Sequence, residues 1–258
     1  MTFDFSSFRA KFHEKVDLYN INWEVIGFLS ANHQVYPFTT DTKVLSSVFE
    51  AICSPLVNEI AIEHGYVMER PTEQNIYPDF TLSPITGNSL RLAIDVKTTY
   101  RSFNRRRQMQ PLSFTLGSYT SFLRTPGATK NIHYPYSEYS GHWIIGFVYT
   151  RTILEEQLEP YYELCEIDNL PHPYHNVEYF VQEKYKIAGE KPGSGNTTNI
   201  GSFKSRDIED FRQGCGPFAE LGKEFCDEYW RNFKQKTENR DYNTVNEFLS
   251  WRDTEEKA

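Results

Sequence analysis

Two short apolar segments joined by a turn constrain the fold of this chain more than any other feature. They span residues 77–82 and 92–97, and each has the length of a β-strand. The turn between them has the sequence SPITGN at residues 83–88, a composition typical of chain reversals. The sequence therefore predicts an antiparallel hairpin, in which the second strand folds back along the first.

Three charged side chains meet on this predicted hairpin. Side chains alternate along a strand, so Asp95 and Lys97 should share one side of the second strand, roughly 7 Å apart. Asp79, in the first strand, can approach Asp95 at one end of the hairpin. Two carboxylates beside an ammonium can hold a hard divalent cation and activate water against a phosphodiester. The same pattern is also typical of a solvated strand face, and these residues alone do not separate the two interpretations.

A long amphipathic helix is predicted over residues 41–64, with Thr40 or Asp41 as its cap and Gly65 as its end. Pro55 marks a position where this helix could bend or divide. Lys43 and Glu50 fall together on its polar side, two turns apart, where periodicity predicts ordinary solvent-exposed residues. If the helix flanks the hairpin, Glu50 could supply a third carboxylate. The opposite side of the helix forms an apolar stripe that should be buried: Val44, Leu45, Val48, Phe49, Ile52 and Leu56.

The other periodic segments predict further strands and helices in alternation. Strands are predicted over residues 23–29, 35–36, 142–150, 161–167 and 177–188, and the second half of the chain also carries a helical pattern over 218–233. Helices are also predicted at residues 5–16 and after the capping box that begins at Thr244. At 258 residues and 39% hydrophobic composition, with no repeat or long linker, the chain is expected to form one compact unit.

Charge and targeting signals limit the possible partners. The chain has 27 basic and 35 acidic residues, a net charge of −8, so any binding to DNA must use a local basic surface. No apolar run approaches the ~20 residues needed to cross a bilayer, and the N-terminus lacks the pattern of a signal peptide, so we expect a cytoplasmic protein. The basic residues considered for DNA contact are Arg101, Arg105, Arg106, Arg107, Arg124, Lys130, Lys184, Lys186, Lys191, Lys204 and Arg206.

A glycine-rich segment with the sequence GSGNTTNIG occupies residues 193–201. Glycine allows the backbone to approach another surface closely, and asparagine can bond bidentately to adenine in the major groove. The lysine that follows the second glycine of a phosphate-binding P-loop is absent. A loop that reads bases, a different phosphate cradle and a surface loop without a ligand all remain open from composition alone.

Several of these motifs together resemble a known family. The segments 41–46 (DTKVLS), 77–82 (YPDFTL), 93–100 (AIDVKTTY), 119–122 (YTSF), 142–146 (HWIIG) and 193–201 resemble the EcoRV family of type II restriction endonucleases, in the same order and from about residue 35 to the end. This family belongs to the PD-(D/E)xK nuclease superfamily. The resemblance implies an α/β, restriction-endonuclease-like fold with a mixed central β-sheet flanked by helices. It also implies a single domain over residues 1–258, in which about 20–37 form a dimerisation hairpin, 41–150 the catalytic core and 177–258 the DNA-recognition part.

The resemblance also assigns chemical roles. Asp79 and Asp95 would ligate Mg²⁺, for which Mn²⁺ could substitute, and Glu50 could join at a second metal position. Lys97 would orient or activate the attacking water and stabilise charge in the transition state. Lys43 would lie near the DNA backbone. The expected catalytic residues are therefore Asp79, Asp95, Lys97 and Glu50.

For recognition, the resemblance implies a homodimer that cuts palindromic double-stranded DNA, GATATC, bluntly at its centre. Gln74 and Asn75 would lie near the minor groove, and the inner TA step would contribute through its easy deformation. A cognate DNA methyltransferase would act on the same site without a stable complex, in a prokaryotic cytoplasm. Two alternatives are a DNA-binding protein that has lost catalysis and a junction or repair nuclease that cuts by DNA shape. The residues expected to read the outer bases in the major groove are Gly193, Ser194, Gly195, Asn196 and Thr197.

Overall fold

The fold is given by a computed structural model that describes residues 3–37, 39–73, 75–86, 90–117, 119–153, 159–193, 199–234 and 236–255. The helices are α1 (Phe5–Leu18), α2 (Thr42–Glu63), α3 (Tyr119–Arg124), α4 (Lys184–Ile187), α5 (Ile208–Gln213), α6 (Lys223–Asn232) and α7 (Val245–Glu255). The strands are β1 (Gly27–Leu29), β2 (Gln34–Pro37), β3 (Tyr66–Glu69), β4 (Phe80–Pro84), β5 (Arg91–Tyr100), β6 (Tyr139–Arg151), β7 (Tyr162–Glu163), β8 (Tyr174–Glu183), β9 (Ala188–Pro192) and β10 (Ile200–Ser202). Short 3₁₀ helices lie at Tyr136–Glu138, Leu164–Asn169 and Thr237–Asn239.

A five-stranded mixed sheet forms the centre of the molecule, in the order β3-β4-β5-β6-β8. The pairs β3/β4, β4/β5 and β6/β8 are antiparallel, whereas β5 and β6 are parallel. The predicted hairpin is therefore confirmed, with Phe80 opposite Ile94 and Leu82 opposite Leu92. Two smaller sheets, β1-β2-β7 and β9-β10, lie outside the central sheet.

Both faces of the central sheet are covered, as the apolar sequence of β6 requires. Ile144 and Val148 of β6 belong to a core cluster that also contains residues of α3, α5, α6 and α7. Trp143 and Phe147 belong to a second cluster, with residues of α1 and α2. The side of β5 that carries Asp95 is consequently buried as well, since Ala93 has no exposed surface. The expected mixed sheet flanked by helices is confirmed.

Helix α2 positions one face of the site, and its ends follow the sequence signals. The Asp41 side chain accepts hydrogen bonds from the N–H groups of Lys43 and Val44, and Gly65 follows the helix with a left-handed φ of +74°. The helix continues through Pro55 without dividing, because buried residues on both sides of the proline hold it against the sheet. It is long and apolar enough to span a membrane, with a mean hydropathy of 1.3, but its apolar side packs into the core.

The strand predicted at 23–29 is limited to β1. In the second half of the chain, three predicted elements are shorter than expected because of contacts that periodicity does not reveal. The strand predicted at 161–167 is limited to β7, since the Glu163 N–H donates to the Glu166 carboxylate and the chain turns into a 3₁₀ helix. The strand predicted at 177–188 ends at Glu183 and gives way to α4, whose carbonyls accept bonds from distant N–H groups. The helix predicted at 218–233 begins only at Lys223, because Gly222 adopts a φ of +89°.

Gly146 is required where β6 passes the ring of Phe180 in β8. A Cβ atom at this position would overlap that ring. We expect Gly146→Ala to lower the free energy of unfolding by about 1–3 kcal/mol through overpacking, measured by urea denaturation. Gly127→Ala is the matched control, since a Cβ there meets no atom within 4 Å. Equal stability of the two variants would contradict this account of the β6/β8 contact.

Candidate active site

The hairpin of β4 and β5 brings together the three charged side chains that the sequence singled out. Asp79 directly precedes β4, and its Oδ2 accepts a 2.7 Å hydrogen bond from the backbone N–H of Val96. This bond ties the Asp79 carboxylate to the strand that carries the other two groups. The Lys97 Nζ lies 2.5 Å from Asp95 Oδ2 and 4.0 Å from Asp79 Oδ2. One ammonium therefore contacts both carboxylates.

The three side chains differ in their access to solvent. Only 3% of the Asp95 side chain is exposed, against 23% for Lys97 and 27% for Asp79. Asp95 Oδ2 makes no hydrogen bond of good geometry within the described residues, so the Lys97 ammonium is its main stabilising contact. A substrate or ion can therefore approach from the side of Asp79 and Lys97, above the buried Asp95.

The electrostatics of the cluster reflect an excess of negative charge. Burial and the neighbouring Asp95 carboxylate raise the pKa of Asp79 well above its usual range, although Lys97 and the Val96 N–H oppose this rise. Burial alone would lower the pKa of Lys97, but attraction to the Asp95 and Asp79 carboxylates outweighs it and raises that pKa. Ionisation of both carboxylates would leave one negative charge that the single ammonium does not compensate, in a partly buried site.

This donor set fits a divalent cation. Hard cations such as Mg²⁺ take oxygen ligands and are commonly held by one or two carboxylates, with the other positions left to water and substrate phosphates. Asp79 and Asp95 supply such a pair, and a cation there would offset both the burial and the carboxylate repulsion that raise the pKa of Asp79. Within the described parts of the chain, no group of three or more His, Cys, Asp or Glu side chains forms a metal-binding arrangement.

Glu50 lies close to the three hairpin residues but outside their cluster. Its carboxylate is paired with the Arg70 guanidinium, and its side chain is 28% exposed. Its negative charge nevertheless contributes to the raised pKa of Lys97, so it is within electrostatic reach of the site. Helix α2 therefore flanks the hairpin as considered from the sequence, whereas metal ligation by Glu50 remains a prediction.

Lys43 lies at the edge of an open cleft of about 360 Å³ beside the end of β5. This exposed residue belongs to the first turn of α2, and Thr98 and Thr99, which follow Lys97, line the same cleft. The arrangement places an exposed ammonium next to the strand that carries the cluster, in a position to contact a phosphate backbone.

The recognition residues are described only in part. Ser194, Gly195, Asn196, Thr197 and Gln74 lie outside the described residues. Asn75 is exposed in the turn that leads to Asp79. The Gly193 N–H donates to the Asn199 carbonyl at 2.8 Å, so the two ends of the glycine-rich segment lie side by side.

The basic residues considered for DNA contact have different positions. Lys184 is buried, at 6% exposure, and Arg101 is largely buried and pairs with Glu178, so neither offers charge to a surface ligand. The run Arg105, Arg106 and Arg107 is exposed. An open cleft of about 390 Å³ was not predicted as a unit, because its residues come from distant parts of the chain. Its lining combines four basic side chains with two asparagines: Arg124, Arg231, Lys234, Lys236, Asn232 and Asn239.

Comparison with known proteins gives consistent matches. Residues 19–253 match the family described as "Restriction endonuclease EcoRV". The type II restriction enzyme EcoRV of Escherichia coli is 44% identical over 234 residues, which cover 90% of this chain and 92% of that protein. Among solved structures, the NlaIV restriction endonuclease aligns with a TM-score of 0.42 and 11% identity, covering 89% of this chain and 87% of that one.

Proposed function

Because this chain belongs to the EcoRV family of type II restriction endonucleases, we propose that it cuts double-stranded DNA at GATATC, bluntly at the centre, with Mg²⁺ as its cofactor. Restriction endonuclease activity on double-stranded DNA and use of divalent ions follow from the family. The particular site, cut position and ion are the proposal. The observation that carries it is the convergence of Asp79, Asp95 and Lys97 on one edge of the hairpin.

Each of these side chains has a distinct task in the proposed reaction. Asp79 and Asp95 would hold the cation, which when bound polarises a phosphoryl oxygen and lowers the pKa of water. The hydrogen bond from the Val96 N–H holds the Asp79 carboxylate against β5, the strand that carries Asp95. The Lys97 ammonium would orient the attacking water and stabilise the negative charge that develops on the phosphoryl oxygens. Glu50 would be a ligand at a second cation position. Lys43 would contact the DNA backbone near β5.

Recognition would use two segments of the chain. The uninterrupted segment 193–197, with Gly193, Ser194, Gly195, Asn196 and Thr197, would read the outer bases in the major groove. Gln74 and Asn75, a few residues before Asp79, would lie near the minor groove. The cleft lined by Arg124, Arg231, Lys234 and Lys236 supports phosphate binding despite the net charge of −8, since it concentrates positive charge locally, although Lys234 is paired with Asp241. A cognate methyltransferase would modify the same sequence in a prokaryotic cytoplasm.

A homodimer would match the two-fold symmetry of a palindromic duplex, giving each strand its own cluster. The proposed dimerisation part, about residues 20–37, contains β1 and β2. Residues 41–150 would form the catalytic core of the same domain, and 177–258 its recognition part. Exposed apolar side chains on the β1-β2-β7 sheet and on the 3₁₀ helix after it would form the dimer surface: Phe28, Leu29, Tyr36, Leu164 and Ile167.

Leu29→Asp is expected to convert the protein to a monomer and to reduce double-strand cleavage at least about 100-fold. An unpaired charge that becomes buried in an apolar interface costs several kcal/mol. Sedimentation velocity would measure the mass, and agarose gels the cleavage. Ile62→Asp is the matched control, because Ile62 is 63% exposed and Leu29 is 61% exposed. A Leu29→Asp protein that sediments as the wild type does would rule out this surface.

The proposed function is tested by the fragment pattern on a DNA of known sequence. Discrete fragments with blunt ends at GATATC are expected with Mg²⁺, also with Mn²⁺, and none with EDTA. Discrete fragments at another sequence would overturn the proposed site while leaving the family activity intact. Stable retention of a GATATC duplex in Mg²⁺ without strand scission would instead indicate a binding protein.

A further inference from the structure

Arg70 connects two elements at the edge of the site. It follows β3 directly, and its guanidinium is paired with the Glu50 carboxylate of α2. The same guanidinium lies over the ring of Phe80, 5.3 Å from its centroid. Phe80 begins β4 and is the neighbour of Asp79 in the chain. Arg70 therefore bridges the helix that carries Glu50 and the strand next to the carboxylate cluster.

This bridge places a fixed positive charge where Glu50 could otherwise bind an ion. The Arg70 guanidinium donates one hydrogen bond to Glu50 Oε1, so a cation that binds this oxygen must compete with that partner. The guanidinium is also a permanent charge that repels a divalent ion. Glu50 is near enough to Lys97 for its charge to raise the pKa of that lysine. The Arg70 guanidinium is therefore a permanent positive charge beside Glu50, the third acidic residue of the site.

We propose that Arg70 is a positioning residue that competes with a divalent cation for Glu50 and so weakens ion binding at that position in the DNA-free protein. This inference rests on the proposed function, in which Glu50 serves a second cation position. The Arg70 side chain is 46% exposed, so its ion pair with Glu50 is solvent-accessible. Ion pairs of this kind are weak and can be broken at little cost in free energy. Removal of the guanidinium should increase cation affinity at Glu50 up to about fivefold, the range set by a pair of this type.

The test uses Mn²⁺ alone as the probe, with the full-length protein and no DNA, and measures bound and free ion by electron paramagnetic resonance and isothermal titration calorimetry. Arg70→Met is expected to bind Mn²⁺ more tightly than the wild type. Arg70→Lys, which retains the charge, should return the affinity to within about twofold of the wild type. The double variant Arg70→Met with Glu50→Gln should lose the gain, because the carboxylate that benefits is absent.

Arg9→Met is the matched control for loss of a surface arginine. The Arg9 guanidinium lies 5.3 Å from the centroid of the Phe5 ring, the same distance as Arg70 from Phe80. Its removal should leave the Mn²⁺ affinity unchanged. A change equal to that of Arg70→Met would mean that net charge alone is responsible, and would overturn the competition at Glu50.

Failure of this inference can be distinguished from failure of the proposed function. If the wild type binds Mn²⁺ and Asp95→Asn does not, while Arg70→Met equals the wild type, the competition is refuted and the cation site at the hairpin stands. A gain that persists in the double variant also refutes it, since the ion would then bind elsewhere. Absence of Mn²⁺ binding in every protein would remove the cation site and this inference with it.

Discussion

Asp79→Asn is expected to stabilise the metal-free protein while abolishing DNA cleavage. The substitution removes one of two adjacent carboxylates, and the remaining Asp95 and Lys97 form a neutral pair at 2.5 Å. The asparagine Oδ1 can still accept the hydrogen bond from the Val96 N–H, so the local geometry is retained. A gain of about 1 kcal/mol would raise the midpoint of thermal unfolding by about 2–4 °C for a chain of this size. The measurement is a thermal melt in EDTA.

The size of this gain should depend on pH. The pKa of Asp79 is raised in the folded state to about 8, whereas an aspartate in an unfolded chain titrates near pH 4. The folded wild type therefore holds the proton more tightly, and its stability falls as pH rises from about 4 to about 8. Asp79→Asn lacks this titration, so its advantage should be small at pH 4 and largest near pH 8.

Asp253→Asn provides the control for the change in formal charge, since Asp253 is exposed in α7 and belongs neither to the cluster nor to the proposed dimer surface. It should shift neither the melting temperature nor its pH dependence. A lower melting temperature for Asp79→Asn than for the wild type at pH 8 would mean that the Asp79 charge stabilises the fold, contrary to the repulsion inferred here. Functional sites commonly reduce the stability of the fold because activity requires groups that destabilise it.

The local part of the site could be predicted from the sequence because it depends on short-range geometry. Strand alternation alone places Asp95 and Lys97 on one side of β5, and a turn of ordinary composition brings Asp79 back beside them. The cap at Asp41 and the end at Gly65 likewise depend on neighbouring residues. Features that are determined within one hairpin or at one helix end can therefore be predicted from the sequence.

Features set by distant contacts were not predictable in the same way. Arg70 and Glu50 are 20 residues apart, and nothing in the periodicity of either segment indicates their ion pair. The end of β8 at Glu183 depends on N–H groups of Phe203 and Gly216, which bond to carbonyls of α4. Lys184 looked like a surface cation in the sequence, yet the packing of α4 against β6 and β8 buries it. Family resemblance supplied roles, but the identity of ion-pair partners came only from the fold.

Lys97→Met and Asp95→Asn are expected to abolish cleavage for different reasons. Loss of the Lys97 ammonium removes a donor aimed at the developing charge, which should lower the cleavage rate by about 100- to 1,000-fold. It also leaves two carboxylates without their counter-ion, so the protein should bind Mn²⁺ at least as tightly as the wild type. Asp95→Asn removes the more buried carboxylate of the proposed cation site and should lose both cleavage and Mn²⁺ binding.

DNA cleavage and Mn²⁺ binding, measured separately, distinguish the chemical step from cation binding in these variants. Single-turnover cleavage and calorimetric titration with Mn²⁺ would measure them on the same samples. The uncompensated Asp95 in Lys97→Met should destabilise the metal-free protein by about 3–5 kcal/mol, and Mn²⁺ should restore much of this loss. Lys11→Met removes an exposed ion pair with Glu14. It should change neither the stability of the metal-free protein nor its affinity for Mn²⁺. If Lys97→Met lost Mn²⁺ binding as Asp95→Asn does, the ammonium would be needed to assemble the carboxylate pair, and its role in the reaction would have no separate support.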